Sequence, residues 1–161
     1  MVYFFQTLIN RMNDEANLIV PRLWLGNRFA AANQKFLNDN NITVVFNCTK
    51  DLPFSPIVQH RYRVPVHDNL EAEEINNLEK WAPEIVYKVV SEYNKGNNIL
   101  IHCHAGMQRS AAVMAMTLIA LTGHSFDEIR TYIRNKRPIA FFPATNFEKS
   151  IRGFENVWKN T

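Results

Sequence analysis

A cysteine stands between two histidines in the stretch Ile99-Leu100-Ile101-His102-Cys103-His104-Ala105-Gly106-Met107-Gln108-Arg109-Ser110, where an apolar run gives way to a glycine and then an arginine. Metal ligation, redox exchange and nucleophilic attack are the chemistries open to such a set. Metal ligation suits it least, because neighbours on a strand point to opposite faces and three consecutive residues do not converge on one ion. No C-x-x-C or H-x-x-H pair elsewhere completes a site, and His60, His67 and His124 are isolated along the chain. No metal and no cofactor is expected.

The residues after the cysteine say more. Cys103 reads as the end of a strand and Arg109 as the start of a helix, so His104, Ala105, Gly106, Met107 and Gln108 must wrap around whatever they enclose. Gly106 permits the backbone angles of such a wrap. In an open α/β sheet, ligand sites lie beyond the carboxyl ends of the strands. A loop there aims successive N–H groups at one spot near the positive end of the next helix, which suits an anion. Arg109 adds a planar fork of donors that matches two phosphate oxygens better than a lysine would. Cys103 then lies at the bottom of a pocket of N–H groups and a guanidinium, which favours the thiolate, and a thiolate attacks phosphorus directly. Ser110 is placed to hydrogen-bond the sulfur when it leaves. A lone cysteine at a strand end is ordinary packing. Cysteine, glycine, arginine and serine at these offsets between strand and helix point instead to a phosphate pocket.

The elements that must hold this loop follow from periodicity. Leu23-Trp24-Leu25 before Gly26 reads as a short strand, Ala30 to Leu37 as a helix, and Ile42 to Cys48 as a β-branched strand. Tyr62 to Val66 is a further strand ending at His67-Asp68-Asn69. Glu71 to Asn94 is helical with a break near Pro83, and Gly96 suits its end. Asn98 to Cys103 is the kind of apolar strand that is covered on both faces. A helix from Arg109 to Thr122 stops at Gly123, and Ser125-Phe126-Asp127-Glu128 is a capping box opening another helix to about Lys136. A last helix carries Phe147, Ile151, Phe154 and Trp158 on one stripe. The expected class is α/β, a single domain with a central, mainly parallel twisted sheet flanked by helices. Residues 1–16 read as an N-terminal amphipathic helix, with Phe5, Leu8, Ile9 and Met12 on one stripe, and residues 17–161 as the catalytic domain.

The 161 residues, 47% of them apolar, are enough for one core. The apolar run from Ala111 to Leu121 falls short of the roughly 20 residues that span a bilayer. The start of the chain is a poor secretory signal, lacking a basic flank and a cleavage site, so a cytoplasmic setting and no membrane are expected. Two cysteines are too few for a disulfide scaffold, which fits a reducing compartment. Net charge is +3, with a cluster at Arg130, Arg134, Lys136 and Arg137 that reads as a solvated helix face. No dense basic run suggests nucleic acid.

The loop matches the H-C-x-x-G-x-x-R-S signature and resembles that of the dual-specificity phosphatases, a branch of the cysteine-dependent protein tyrosine phosphatases. Leu23-Trp24-Leu25-Gly26-Asn27 is similar to the family's L-Y-L-G-N. Arg137-Pro138-Ile139 with Pro143, Asn146 and Phe147 is similar to its R-P-x-x-x-P-N-x-x-F, with extra spacing before the asparagine. The resemblance runs from about Pro21 onward. It implies the family's phosphatase fold, with Cys103 as nucleophile, Arg109 as phosphate clamp, Ser110 as helper of thiolate departure, and His104 to Arg109 holding the phosphate. His102 would steady Cys103, or be a satisfied strand-end histidine. Asn146 would brace the loop, and Phe141 and Phe142 would be pocket wall or core.

The family's general acid is an aspartate on a loop some thirty to forty residues before the cysteine. Asp68 lies there, its competing duty being an Asx turn or helix cap before Glu71. Asp51 lies too early, and Glu71, Glu73 and Glu74 read as solvent-facing. The expected substrates are phosphorylated proteins, on tyrosine and on serine or threonine, since the W-P-D triplet and long insertions of tyrosine-only enzymes are missing. An RNA 5′-triphosphatase is a weaker match because Ala105, Gln108 and Ser110 depart from its H-C-T-H-G-x-N-R-T loop. A non-catalytic phosphoprotein-binding module would usually have lost Cys103 or Arg109. The N-terminal stripe leaves monomer and homodimer open. Cys48 either shields Cys103 as a disulfide partner or is a plain buried residue.

Overall fold

Ile99, Leu100 and Ile101 leave no surface to solvent, so the strand that carries them lies at the centre of the sheet. The computed structural model describes residues 2–6 and 14–161. Five strands, β1 (Ala16–Val20), β2 (Leu23–Gly26), β3 (Ile42–Asn47), β4 (His60–Arg63) and β5 (Asn98–His102), form one sheet in the order β1-β2-β5-β3-β4. The pairs β2–β5, β5–β3 and β3–β4 are parallel and β1–β2 is antiparallel. The sheet is mainly parallel, as the alternation of strand and helix patterns implies.

Among the described residues from 14 onward, six helices pack with the sheet: α1 (Arg28–Ala32), α2 (Gln34–Asp39), α3 (Ala72–Asn94), α4 (Arg109–Thr122), α5 (Phe126–Lys136) and α6 (Glu148–Lys159). Ile99 and Ile101 join the larger core with α3 to α6, while Leu100 packs into a smaller core with Ala30, Ala31 and Leu37 of α1 and α2. Alternation along β5 therefore turns Cys103 toward α4 and His102 toward α1. The first eleven residues of α4 are all buried, which explains its run of small and apolar side chains. Gly123 ends it with φ +75°. Among the described residues no helix is long and apolar enough to cross a membrane.

Several elements differ from the sequence reading. The helix expected over Ala30 to Leu37 is two, because Asn27 and Asn33 each cap one: Asn27 Oδ1 accepts from the N–H groups of Phe29 and Ala30, and Asn33 Oδ1 from that of Phe36. α3 runs through Pro83 without a break; the ring sits on the exposed side while Ala82, Val86 and Val89 stay packed. The strand expected at Tyr62 to Val66 is instead β4, and residues 64–71 form an irregular segment. β1, absent from the sequence reading, adds an edge strand on β2. The N-terminal stripe falls partly outside the described residues, which include Phe5, in a helical stretch at 2–6, but not Leu8, Ile9 or Met12. The basic cluster is not uniformly a solvated face: Arg137 is wholly buried, and Arg130 pairs with Asp127 and Glu148.

Candidate active site

β5 ends at His102, and the residues that follow turn every carbonyl of the loop outward. The carbonyl of Cys103 lies 3.2 Å from His102 Nδ1, and that of His104 accepts from the Arg28 N–H at 3.0 Å. Arg137 donates to the carbonyls of Ala105 (3.1 Å) and Gly106 (2.8 Å), and the Phe141 N–H to that of Met107 (2.8 Å). A trans peptide holds its N–H opposite its C=O. Five outward carbonyls therefore leave the N–H groups of residues 104–108 facing inward, and none of them donates to another group among the described residues. This is a ring of free donors at the start of α4.

Gly106 is required twice over. Its φ is +66°, and a Cβ there would stand 2.5 Å from the Gly26 carbonyl oxygen and 2.7 Å from Arg137 Nη2. That contact explains the L-W-L-G-N match: Gly26 lets the loop approach, and the Asn27 cap sets α1 so that Arg28 reaches His104.

At the floor, Cys103 Sγ lies 3.1 Å from Ser110 Oγ. Arg109 is buried, donates through Nη1 to the Val66 carbonyl at 3.1 Å, and has no partner for its Nε. Among the described residues no carboxylate is within ion-pair distance of it. A buried guanidinium with spare donors and no counter-charge is costly unless an anion completes it.

The segment bearing Asp68 is pinned at three points. Arg109 holds the Val66 carbonyl, Glu74 accepts from the His67 N–H at 3.0 Å, and Asn146 Nδ2 donates to Asp68 Oδ1 at 2.9 Å. Asn146 is placed in turn by Gln108, whose amide donates to the carbonyls of Phe142 and Ala144 and accepts from the Asn146 N–H. The extra spacing before Asn146 is thus taken up by Gln108. The Asx turn before Glu71 is made by Asn69, which leaves Asp68 free for Asn146. Phe141 packs in the core against Phe126, and Phe142 is exposed.

Two acids stand differently from the sequence reading. Glu74 does not face solvent: it is buried, 2.7 Å from Lys50 Nζ, and although burial pushes its carboxyl up, the bonds from Lys50 and the His67 N–H leave it below the usual range. Asp51, set aside as too early, reaches the loop through His104 Nε2 at 3.1 Å, and that bond holds its carboxyl below the usual range. Cys48 is buried, its thiol pushed well up by burial and then by the neighbouring Cys103; both cysteines are free.

Arg137 is the group the sequence reading placed in a motif without seeing its task. It is 0% exposed and grips Ala105, Gly106, the Asp14 carbonyl and Asn17 Oδ1, tying the loop to β1. Burial pushes its guanidinium down to about 10, against the pull of Cys103, so it stays charged at neutral pH. Arg137→Lys, which keeps the charge and loses the fork, is expected to lower unfolding free energy by about 2–4 kcal/mol and to weaken inorganic phosphate binding about tenfold. A folded variant with unchanged phosphate affinity would show that Arg137 does not shape the loop.

A parallel sheet with a donor ring, a guanidinium and a thiol at its carboxyl end defines the class of thiol-bearing phosphate cradles. Within that class the chain belongs to the dual specificity phosphatase catalytic domain family, whose sequence model matches residues 23–157. It is 27% identical over 139 residues to human dual specificity protein phosphatase 1, covering 86% of this chain and 36% of that protein. The chain thus spans about a third of that relative's length. In structure it is similar to human DUSP28, with a TM-score of 0.76 at 24% identity over 91% of this chain and 96% of the other. It is also similar to human tyrosine phosphatase-like serine/threonine/tyrosine-interacting protein, with a TM-score of 0.75 at 19% identity over 89% and 97%. These two likenesses are of fold.

Proposed function

We propose that the chain is a protein phosphatase that hydrolyses phosphotyrosine and phosphoserine or phosphothreonine monoesters through a cysteinyl-phosphate intermediate. The observation that carries this reading is the buried, uncompensated guanidinium of Arg109 beside a ring of inward N–H groups and a thiol. The phosphoryl group sits in the ring with Arg109 across two of its oxygens. Cys103 Sγ attacks phosphorus, the P–O bond to the substrate breaks, and the departing oxygen takes a proton from Asp68. Water then attacks the cysteinyl phosphate, giving its proton to the Asp68 carboxylate, while the P–S bond breaks and Ser110 donates to the sulfur. Inorganic phosphate leaves. Asp51, bound to His104 at 3.1 Å, places a negative charge at the rim, while Asp68 stands on the segment that Arg109 holds.

Asp68→Asn tests the assignment through leaving groups. Hydrolysis of a phosphotyrosine or phosphothreonine peptide is expected to fall by roughly 10²–10³-fold, with a much smaller loss on an aryl phosphate whose leaving group needs no proton. Equal losses on both would remove Asp68 from the proton-transfer role.

A further inference from the structure

β4 is an edge of the sheet and pairs with β3 alone. The Val64 N–H, just past its end, donates to the Asn47 carbonyl at 2.8 Å, and successive residues of a strand turn their N–H and C=O groups to alternate sides. Arg61 and Arg63 therefore present theirs to the open side, where an unpaired row is a template for another strand. A cavity of about 620 Å³ runs between this edge and α3, with Tyr62 and Trp81 among its walls and Arg61, Arg63, Glu84 and Lys88 as its charged lining.

The two faces of β4 differ. Tyr62 turns toward the larger core and stacks on Phe46, ring centroids 4.5 Å apart, while Trp81 of α3 is 52% exposed. Arg61 and Arg63 turn the other way, onto the segment after β3: Arg61 donates to the carbonyls of Ser55, Pro56 and Val58, and Arg63 to those of Thr49 and Leu52. These acceptors carry no charge, and among the described residues no carboxylate is within ion-pair distance of either arginine. Both stay exposed, and Glu84 is taken up by Lys88 at 3.4 Å. The edge therefore keeps the positive charge of its two arginines.

That charge selects the occupant. Two copies of this chain joined antiparallel around Tyr62 would set Arg61 of each against Arg63 of the other, and like charges directly opposite are destabilising. An acidic strand meets no such penalty. We propose that the open edge of β4 binds an extended acidic segment of a partner protein, added to the sheet as a further strand. Side chains of a strand alternate between faces, so the segment alternates in kind: acidic residues on the face of Arg61 and Arg63, apolar residues on the groove face against Tyr62 and Trp81. The lining of the groove includes none of residues 103–110, and the binding does not depend on hydrolysis.

The test uses a fluorescein-labelled peptide, E-V-E-F-E-V-E, with the whole chain held in saturating inorganic phosphate so that the cradle is filled. Anisotropy is expected to show one site per chain, with a rearranged peptide of the same composition, E-E-F-V-V-E-E, about fivefold weaker or more. Methylating one of the two alternate sets of peptide amides should abolish binding while methylating the other leaves it, since one edge of the peptide faces β4. Arg61→Glu should weaken binding about tenfold and Trp81→Ser several-fold, both with unchanged turnover of p-nitrophenyl phosphate. The proposal is overturned if the peptide does not bind, if the rearranged peptide binds equally well, if methylating either set of amides has no effect, or if Arg61→Glu leaves the affinity unchanged. Self-association of the chain alone that Arg61→Glu abolishes would give this edge to a second copy and overturn it as well. Should Arg61→Glu fail to fold, Trp81→Ser and the methylated peptides decide the matter.

Discussion

Cys103→Ser is expected to abolish turnover of p-nitrophenyl phosphate, a loss of roughly 10⁴-fold or more, while inorganic phosphate still stabilises the folded protein. The hydroxyl is almost isosteric with the thiol, so the ring of N–H groups and Arg109 remain. The chemistry does not. A serine hydroxyl at neutral pH needs a base to become a nucleophile, and the neighbour of Cys103 Sγ is the hydroxyl of Ser110, which is no base. Steady-state rates with phosphate-dependent melting as the control separate the two effects. Turnover that survives would place the nucleophile elsewhere, and a wild-type protein that binds phosphate without hydrolysing it would mark a binding module on the same fold.

Arg109→Lys is expected to cost roughly 10³–10⁵ in kcat/KM, with both kcat and KM affected. The fork of Arg109 does two things together. One arm holds the Val66 carbonyl, two residues before Asp68, and Nε is left for the phosphate. A lysine retains the charge and cannot occupy both places. The substitution therefore removes a phosphate contact and loosens the segment that carries the proposed acid. The same loss should shrink on an aryl phosphate that needs no acid, by a margin similar to that of Asp68→Asn. If Arg109→Lys costs the same on every substrate, the Val66 tether has no part in catalysis.

The cradle was legible in the sequence because its chemistry is local: Cys103, Gly106, Arg109 and Ser110 lie within one strand-to-helix turn, and the spacing states the geometry. The supports were not, because they come from far along the chain. Arg137 meets partners 31 and 123 positions away, and its neighbours Arg134 and Lys136 made it look like part of an exposed face. Glu74 follows the same logic, since Lys50 and His67 decide its burial and neither lies on its helix. β1 was missed because Ala16–Val20 is a short edge strand whose outer positions are half-covered. Asp51 was missed because chain distance says nothing of a loop that folds back onto His104. Signals did exist for Arg137 and for the division between α1 and α2: an arginine followed by proline at a helix end, and a pair of asparagines six positions apart before apolar helices.

The outward carbonyls of residues 103–107 are held by donors from α1, the strand end itself, and the segment after α5. The cradle is accordingly not portable. The same seven residues grafted onto another strand–helix junction would lack Arg28, Arg137 and the Phe141 N–H, and their peptides would be free to turn their carbonyls toward the anion. Phosphate affinity in this molecule is expected to report on the assembly of distant parts of the chain, so a lesion at Asn17 or Asn27 would be read out at Cys103 without touching it.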